Sequence, residues 1–209
     1  DVFLQKVLPL LAPRLFELAY MRSNDFAAQA VANVFWSVAT LQKKGAPVLE
    51  LLDTLPELSK LAVERADAMK AQELANTLLA LAFLRNEEVT SDFEPNLVPA
   101  LANAAVKMAP RYTAKQIDLD LTTIVWALAR LENRQHPLLK AAVMHLDRQE
   151  NLARINEWGL CALAWSFTEV FKDAEFGGFR ASLKAEVKRR GFSEEDVQRS
   201  QLSTDGWQS

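Results

Sequence analysis

One segment occurs four times along this chain of 209 residues, at positions 30–41, 74–84, 121–131 and 160–170. The copies align on Trp36, Leu79, Trp126 and Trp165, which are 43, 47 and 39 residues apart. Self-similarity at intervals near forty residues is typical of repeat architectures, in which each unit packs mainly on its neighbours. The sequence therefore predicts a stack of repeated units.

Apolar residues recur at helical spacing within each copy. In the first copy they are Val31, Val34, Phe35, Val38 and Leu41. Such a stripe faces a partner helix. The chain contains only six glycines, so little material is available for the turns of a sheet. We predict an all-α fold, an α-solenoid of about four helical hairpins with a period of about 39–47 residues and a C-terminal capping helix.

The predicted solenoid covers 1–175, with units at about 3–43, 46–85, 93–132 and 137–171. The first unit begins with a helix over 3–20 that Pro9 and Pro13 kink, and the last ends with a helix over 151–171. The glycines of Phe176-Gly177-Gly178-Phe179 are expected to end the repetition. Closing amphipathic helices follow over 176–200, with Gly191 terminating the longer one, and 201–209 form a flexible tail.

The tryptophans at the repeated position allow two interpretations. Trp36, Trp126 and Trp165 lie off the apolar stripe, and small residues follow three positions later. This arrangement indicates a helix packed on two sides, with the tryptophans between repeats. The alternative is that exposed rings stack on nucleobases.

A second, more polar stripe follows the second helix of each predicted hairpin. Its members are Asn33, Ser37, Thr40 and Lys44 in the first copy, Asn76, Ala80, Phe83 and Glu87 in the second, Thr123, Ala127, Arg130 and Arg134 in the third, and Ala162, Ser166, Glu169 and Asp173 in the fourth, with Gln29 and Gln72 upstream. Second helices line the concave surface of a solenoid, where amide, hydroxyl and guanidinium groups can read bases. The alternative is that these side chains bond between repeats or face water.

Basic residues in the later part of the chain are candidates for phosphate contacts. They are Lys115 and Arg134 in the third unit, and Lys184, Lys188, Arg189 and Arg190 on the closing helix. A solvated helix face is the ordinary explanation for both groups. The formal net charge of −3 argues against tight, charge-driven binding of duplex nucleic acid.

Signals of catalysis, metal binding and membrane insertion are missing from the sequence. His136 and His145 have no neighbours at ligand spacing, and Cys161 lies in an apolar run, which indicates a buried, inert thiol. The longest uncharged stretch, 26–42, is too polar for a bilayer span. We expect no enzyme, cofactor, metal or small-molecule substrate, and no membrane insertion. The chain begins at Asp1 without a recognisable signal or transit peptide, and we take it as mature or partial.

Residues 72–84, QELANTLLALAFL, together with 29–41 and 121–131, resemble the second helix of the octotricopeptide repeat, whose signature is close to QDLANTLWALARL. The resemblance covers residues 3 to about 171. It implies paired-helix repeats, RNA binding, and work in mitochondrial or chloroplast gene expression, including transcript stabilisation, processing, translation or a place in an organellar ribosome.

Two hypotheses follow. In the first, the chain binds single-stranded or structured RNA, or resides in a ribonucleoprotein, through Asn33, Asn76, Thr123 and Arg130, with phosphate contacts from the basic residues. In the second, it is a protein–protein scaffold of a large organellar assembly. The negative net charge and the apolar Phe83 favour this hypothesis.

Overall fold

The computed structural model of the chain describes residues 27–46, 48–85, 93, 95–134 and 136–201, and gives only the backbone of residues 49, 50, 114, 117, 136 and 149. None of the described residues lies in a strand, and helices connected by short turns account for most of them, which confirms the all-α prediction. The predicted helix over 3–20, the link over 86–92 and the tail over 202–209 lie outside the described residues.

The helices closely follow the predicted order. They are α1 (Ala28–Lys43), α2 (Leu49–Leu52), α3 (Leu55–Arg65), α4 (Ala71–Leu84), α5 (Leu97–Met108), α6 (Thr122–Arg130), α7 (His136–Leu146), α8 (Gln149–Arg154), α9 (Glu157–Trp165), α10 (Gly177–Arg189) and α11 (Glu194–Arg199). Two π-helical turns are continuous with these helices, Ile117–Leu121 before α6 and Ser166–Val170 after α9. The chain divides within α5 into two compact units, 1–105 and 106–209.

In the first unit α1 packs against α3 and α4. The stripe residues Val31, Phe35 and Val38 are buried, as are Leu74, Leu78 and Leu81 at the equivalent face of α4. The Nζ atom of Lys43 lies 5.9 Å from the centre of the Phe83 ring, so the carboxyl ends of α1 and α4 are adjacent. Helices α1 and α4, which carry the first two copies of the repeated segment, therefore lie side by side and point the same way.

The second unit contains the same arrangement of α6 and α9. Arg134, which follows α6, lies 3.9 Å from Asp173, which holds the equivalent position after α9. Near their amino ends, a Cβ atom added to Gly159 would be 3.6 Å from the Thr122 hydroxyl. Both ends of the two helices are therefore close to each other, and the pair is parallel.

The region after 150 differs from the sequence-based prediction. The single helix predicted over 151–171 is broken at Ile155 and Asn156, because the Asn156 Oδ1 accepts a 2.7 Å hydrogen bond from the Gly159 N–H and caps α9. The closing helix lies within the predicted range 176–200, and Gly177 and Gly178 form its first turn. Gly191, with a φ of +80°, ends that helix as predicted.

Four phenylalanines explain why α10 begins at these glycines. The Phe167 ring lies 5.5 Å from Phe171, 5.4 Å from Phe176 and 4.9 Å from Phe179, measured between ring centres, and all four side chains are buried. The three contacts are edge-to-face, the geometry that aromatic pairs prefer. This cluster connects α9 to α10 and makes the closing helix part of the core of the second unit.

Gly159 provides a test of the packing between the first turn of α9 and the residues that immediately precede the helix. Its Cβ position lies 2.8 Å from Ile155 Cγ2, so Gly159→Ala is expected to lower the free energy of unfolding by about 1–3 kcal/mol. Gly178→Ala is the matched control, because its Cβ position meets nothing within 4 Å and alanine favours the helix by about 1 kcal/mol. Urea unfolding of the two variants measures the difference, and equal stabilities would contradict this packing.

Candidate functional site

The first unit exposes a row of polar side chains on two neighbouring helices. On α1 the exposed residues Gln29, Asn33, Ser37 and Lys44 lie within one narrow sector, with Thr40 half-buried among them. On α4 Gln72 is exposed, and Asn76 and Phe83 are half-buried. We call these residues the polar strip. Because α1 and α4 are parallel neighbours, their equivalent amides Asn33 and Asn76 belong to the same strip.

The strip ends at a cationic edge. Lys43 and Lys44 are exposed in the last turn of α1, where positive charge also interacts favourably with the helix dipole. Lys43 reaches over the Phe83 ring at 5.9 Å, which is a cation–π distance. An extended ligand along the strip would therefore meet amides first and lysines at one end.

The equivalent positions in the second unit carry different chemistry. They are Leu119, Arg130 and Arg134, in or next to α6, and Trp158, Glu169 and Asp173, in or next to α9. All six are exposed or half-buried. We call these residues the second strip. Thr123 is not part of it: the side chain is fully buried and its hydroxyl donates to the Leu119 carbonyl. A predicted base-reading role for Thr123 does not fit this position.

The cations of the second strip are engaged by nearby groups of the same unit. The Arg130 guanidinium lies 5.9 Å from the centre of the Trp126 ring. Arg134 faces Asp173. Lys115 is exposed near Asp120, whose pKa burial raises to about 6 against the opposing charge of Lys115. Lys115 lies outside the second strip, whose mixed charge comes from Arg130 and Arg134 together with Glu169 and Asp173, in contrast to the polar strip.

The basic cluster at the end of α10 divides into two pairs with different roles. Arg190 donates to the carbonyl oxygens of Ile155 and Leu152, at 2.6 and 2.5 Å, and so holds the end of α8. Arg189 and Arg190 both bond to Glu186, and these hydrogen bonds, Arg189 first, lower its pKa to about 2. Arg190 is therefore a structural residue. Lys184 and Lys188 are exposed and form no ion pair with any described residue.

The residues at the repeated tryptophan position lie mainly inside. Leu79, Trp126 and Trp165 are buried, and Trp36 is half-buried. Trp126 packs on Trp158 of the following repeat at 5.8 Å between ring centres. The positions of Leu79, Trp126 and Trp165 agree with the packing interpretation.

Leu119 and Trp158 were missed by the sequence analysis as members of a surface strip. The signal was present: moving from Gln72 by the observed spacings of 47 and 39 residues reaches these two positions. Leu119 is 41 % exposed on the π-helical turn, and Trp158 is half-buried. The second strip is therefore more apolar than the stripe suggested.

Other side chains that could support catalysis or metal binding are unreactive or isolated in the described part of the chain. Burial, followed by the charges of Asp196 and Glu157, raises the pKa of the buried Cys161 thiol to about 11. No three His, Cys, Asp or Glu side chains among the described residues come together as metal ligands. Within the same residues no helix is long and apolar enough to span a membrane.

No protein-family model, curated protein or solved structure matches the chain.

Proposed function

We propose that the chain is an α-solenoid of about four helical hairpins that binds RNA, or resides in a ribonucleoprotein, in organellar gene expression. The polar strip carries this proposal. Its exposed amide and hydroxyl side chains repeat on neighbouring parallel helices, with lysines at one end. The organellar setting follows from the resemblance to octotricopeptide repeats, and the parallel packing of α1 with α4 and of α6 with α9 is what such a stack requires.

The chemistry of the polar strip suits unpaired bases. Each of Asn33 and Asn76 offers an amide N–H donor and a carbonyl acceptor, which can bond a base edge in a paired geometry. Equivalent residues on successive repeats would contact successive nucleotides, a mode known for helical-repeat proteins. Only single-stranded or irregular RNA exposes these edges to a protein surface, so duplex RNA is a poor ligand.

Phosphate contacts would come from cations that the fold leaves on the surface. Lys43 and Lys44 lie at the end of the polar strip, and Lys115, Lys184 and Lys188 are exposed in the second unit. If about four of them contacted phosphates, the logarithm of the binding constant would fall with the logarithm of salt concentration with a slope of about −3. Binding at physiological salt would then be modest, as the negative net charge suggests.

A protein–protein scaffold is the second candidate function. It is favoured by the second strip, where Arg134 faces Asp173 and Leu119 and Trp158 are partly exposed. A surface of mixed charge with apolar side chains is more suited to a protein partner than to a polyanion. On this alternative the ligand would be a neighbouring subunit of an organellar assembly, without direct reading of bases.

Removing the two amides tests the first function. The double variant Asn33→Ala and Asn76→Ala is expected to bind short single-stranded RNA of random sequence about thirtyfold more weakly, since each of the two lost hydrogen bonds contributes roughly 1 kcal/mol. Fluorescence anisotropy across a salt series measures the affinity. Asn103→Ala, an exposed asparagine on α5, is the matched control and should bind normally. Equal affinities of the double variant and the control, with no salt dependence, would favour the scaffold.

A further inference from the structure

The C-terminal helix α11 lies against the aromatic part of the second unit. It packs on α9, and the carbonyl oxygen of Ser200, just after the helix, accepts a 3.1 Å hydrogen bond from the Trp126 indole N–H. Ser200 is 5 % exposed and Trp126 is 1 % exposed, whereas Trp158, in contact with Trp126, remains half-buried. The segment 193–200 therefore lies at the edge of an aromatic pair that includes a member of the second strip.

Helix α11 is weakly attached to the surface that it contacts. None of its six residues is buried. Its strongest polar contacts are internal, because the Ser193 backbone N–H and hydroxyl donate to the Asp196 carboxylate at 2.8 and 2.7 Å. A short helix gains little from its own hydrogen bonds, and segments with few buried contacts open at low free energy. Displacing 193–200 is therefore less costly than displacing any longer helix of this unit.

The segment carries a net negative charge, although Arg199 in its last turn pairs with Asp196 at 3.6 Å. The first turn of α11 contains Glu194, Glu195 and Asp196. The Ser200 carbonyl, just after α11, contacts Trp126. The Trp126 ring in turn neighbours the Trp158 ring and lies 5.9 Å from the Arg130 guanidinium. Aromatic rings beside a cation are the usual elements of single-strand binding, where bases stack and phosphates pair with the cation. An acidic segment is the natural intramolecular occupant of such a surface.

We propose that Trp158, which packs on the buried Trp126, offers a stacking face to unpaired nucleobases, and that residues 193–200, whose Ser200 carbonyl bonds to Trp126, restrict access to it as a displaceable strap. RNA that reaches the second unit competes with the strap, and the free energy of stacking offsets the cost of lifting it. This inference rests on the proposed RNA-binding function and extends it to a second contact region with built-in regulation. The strap lowers affinity for RNA until a strand with accessible bases displaces it.

The substitution Val197→Pro opens the strap without changing its charge. The Val197 N–H donates to the Ser193 carbonyl at 3.3 Å, and proline removes this bond and clashes with the preceding turn. We expect the full-length variant to bind short single-stranded RNA about tenfold more tightly than the original chain at equal salt. Adding Trp158→Leu should cancel the gain. Gln198→Ala, an exposed neutral change in the same helix, is the matched control and should leave affinity unchanged.

Hydrogen exchange of the amides of 194–200 shows directly whether the strap has opened, and circular dichroism checks that the remaining helices persist. Fast exchange with unchanged or weaker RNA binding overturns the stacking site, as does a gain that survives Trp158→Leu. Slow exchange in Val197→Pro overturns the idea of a weakly held strap. If the Asn33 and Asn76 double variant weakens binding while Val197→Pro does nothing, the covered site alone is wrong; if neither alters binding, the proposed function fails as well.

Discussion

Replacing Phe167 by alanine is expected to lower the free energy of unfolding by about 3–5 kcal/mol, among the largest effects available to a single substitution in this chain. Phe167 is fully buried and makes edge-to-face contacts with Phe171, Phe176 and Phe179. Alanine loses the transfer free energy of the ring and leaves a cavity at the junction of α9 and α10, where three neighbours lose a partner at once. Urea unfolding followed by circular dichroism measures the loss.

Phe192→Ala is the matched control. This phenylalanine follows α10 and is only half-buried, so its removal should cost roughly 1 kcal/mol. A Phe167 variant no less stable than the Phe192 variant would show that the aromatic cluster is not the core of the second unit. It would also remove our explanation for a helix that begins with two glycines.

The periodicity of the sequence was sufficient to predict the helices because burial on one face of a helix leaves a visible pattern. Residues such as Val31, Phe35 and Val38 are both apolar and buried, so their spacing in the sequence indicates the packed face of the helix. The start of α10 could not be predicted in this way. Gly177 and Gly178 each cost about 1 kcal/mol in a helix, and only burial of Phe176 and Phe179 in a cluster formed with distant residues outweighs that cost.

The candidate site was predicted less well, because spacing gives the direction of a side chain on its helix and not what packs there. Thr123 aligns with Asn33 and Asn76, yet it is buried and bonds to a backbone carbonyl one turn earlier, as threonine commonly does in helices. Arg190 resembled its neighbours Lys188 and Arg189. Its acceptors lie 35 and 38 residues earlier in the chain, and no local pattern indicates such partners.

The two units also differ in how much of the repeated helix remains accessible. Helix α1 is buried on one side and exposes a narrow polar sector, whereas every residue of α6 from Thr122 to Ala129 is buried. At the equivalent positions of the repeated segment, the first unit therefore exposes amides, and the second unit exposes aromatic and charged groups. If both units bind RNA, the first would supply hydrogen bonds to bases and the second would supply stacking. The Asn33 and Asn76 double variant tests the first contribution, and Val197→Pro tests the second.

Arg190→Met is expected to lower the free energy of unfolding by about 2–3 kcal/mol at neutral pH. The Arg190 side chain is only 17 % exposed and bonds to the Leu152 and Ile155 carbonyls and to Glu186. Methionine fills similar space but leaves the two partly buried carbonyls without this donor and removes one of the two arginines that bond to Glu186. The penalty arises mainly from desolvated groups that lose their partner. Chemical unfolding at neutral pH measures it.

Arg189→Met separates this role from a surface ion pair. Arg189 bonds to the same Glu186 carboxylate, but its side chain is 64 % exposed, so its loss should cost less than about 1 kcal/mol. The lowered pKa of Glu186 adds a second readout: its ionisation stabilises the fold above the unfolded pKa near 4.3, and that contribution disappears as pH falls towards 2. Both variants should reduce this acid-dependent loss, because each removes a donor to Glu186. Only Arg190→Met should also destabilise the chain at neutral pH, and equal losses in the two variants would contradict the assignment of Arg190 as the residue that holds α8 to α10.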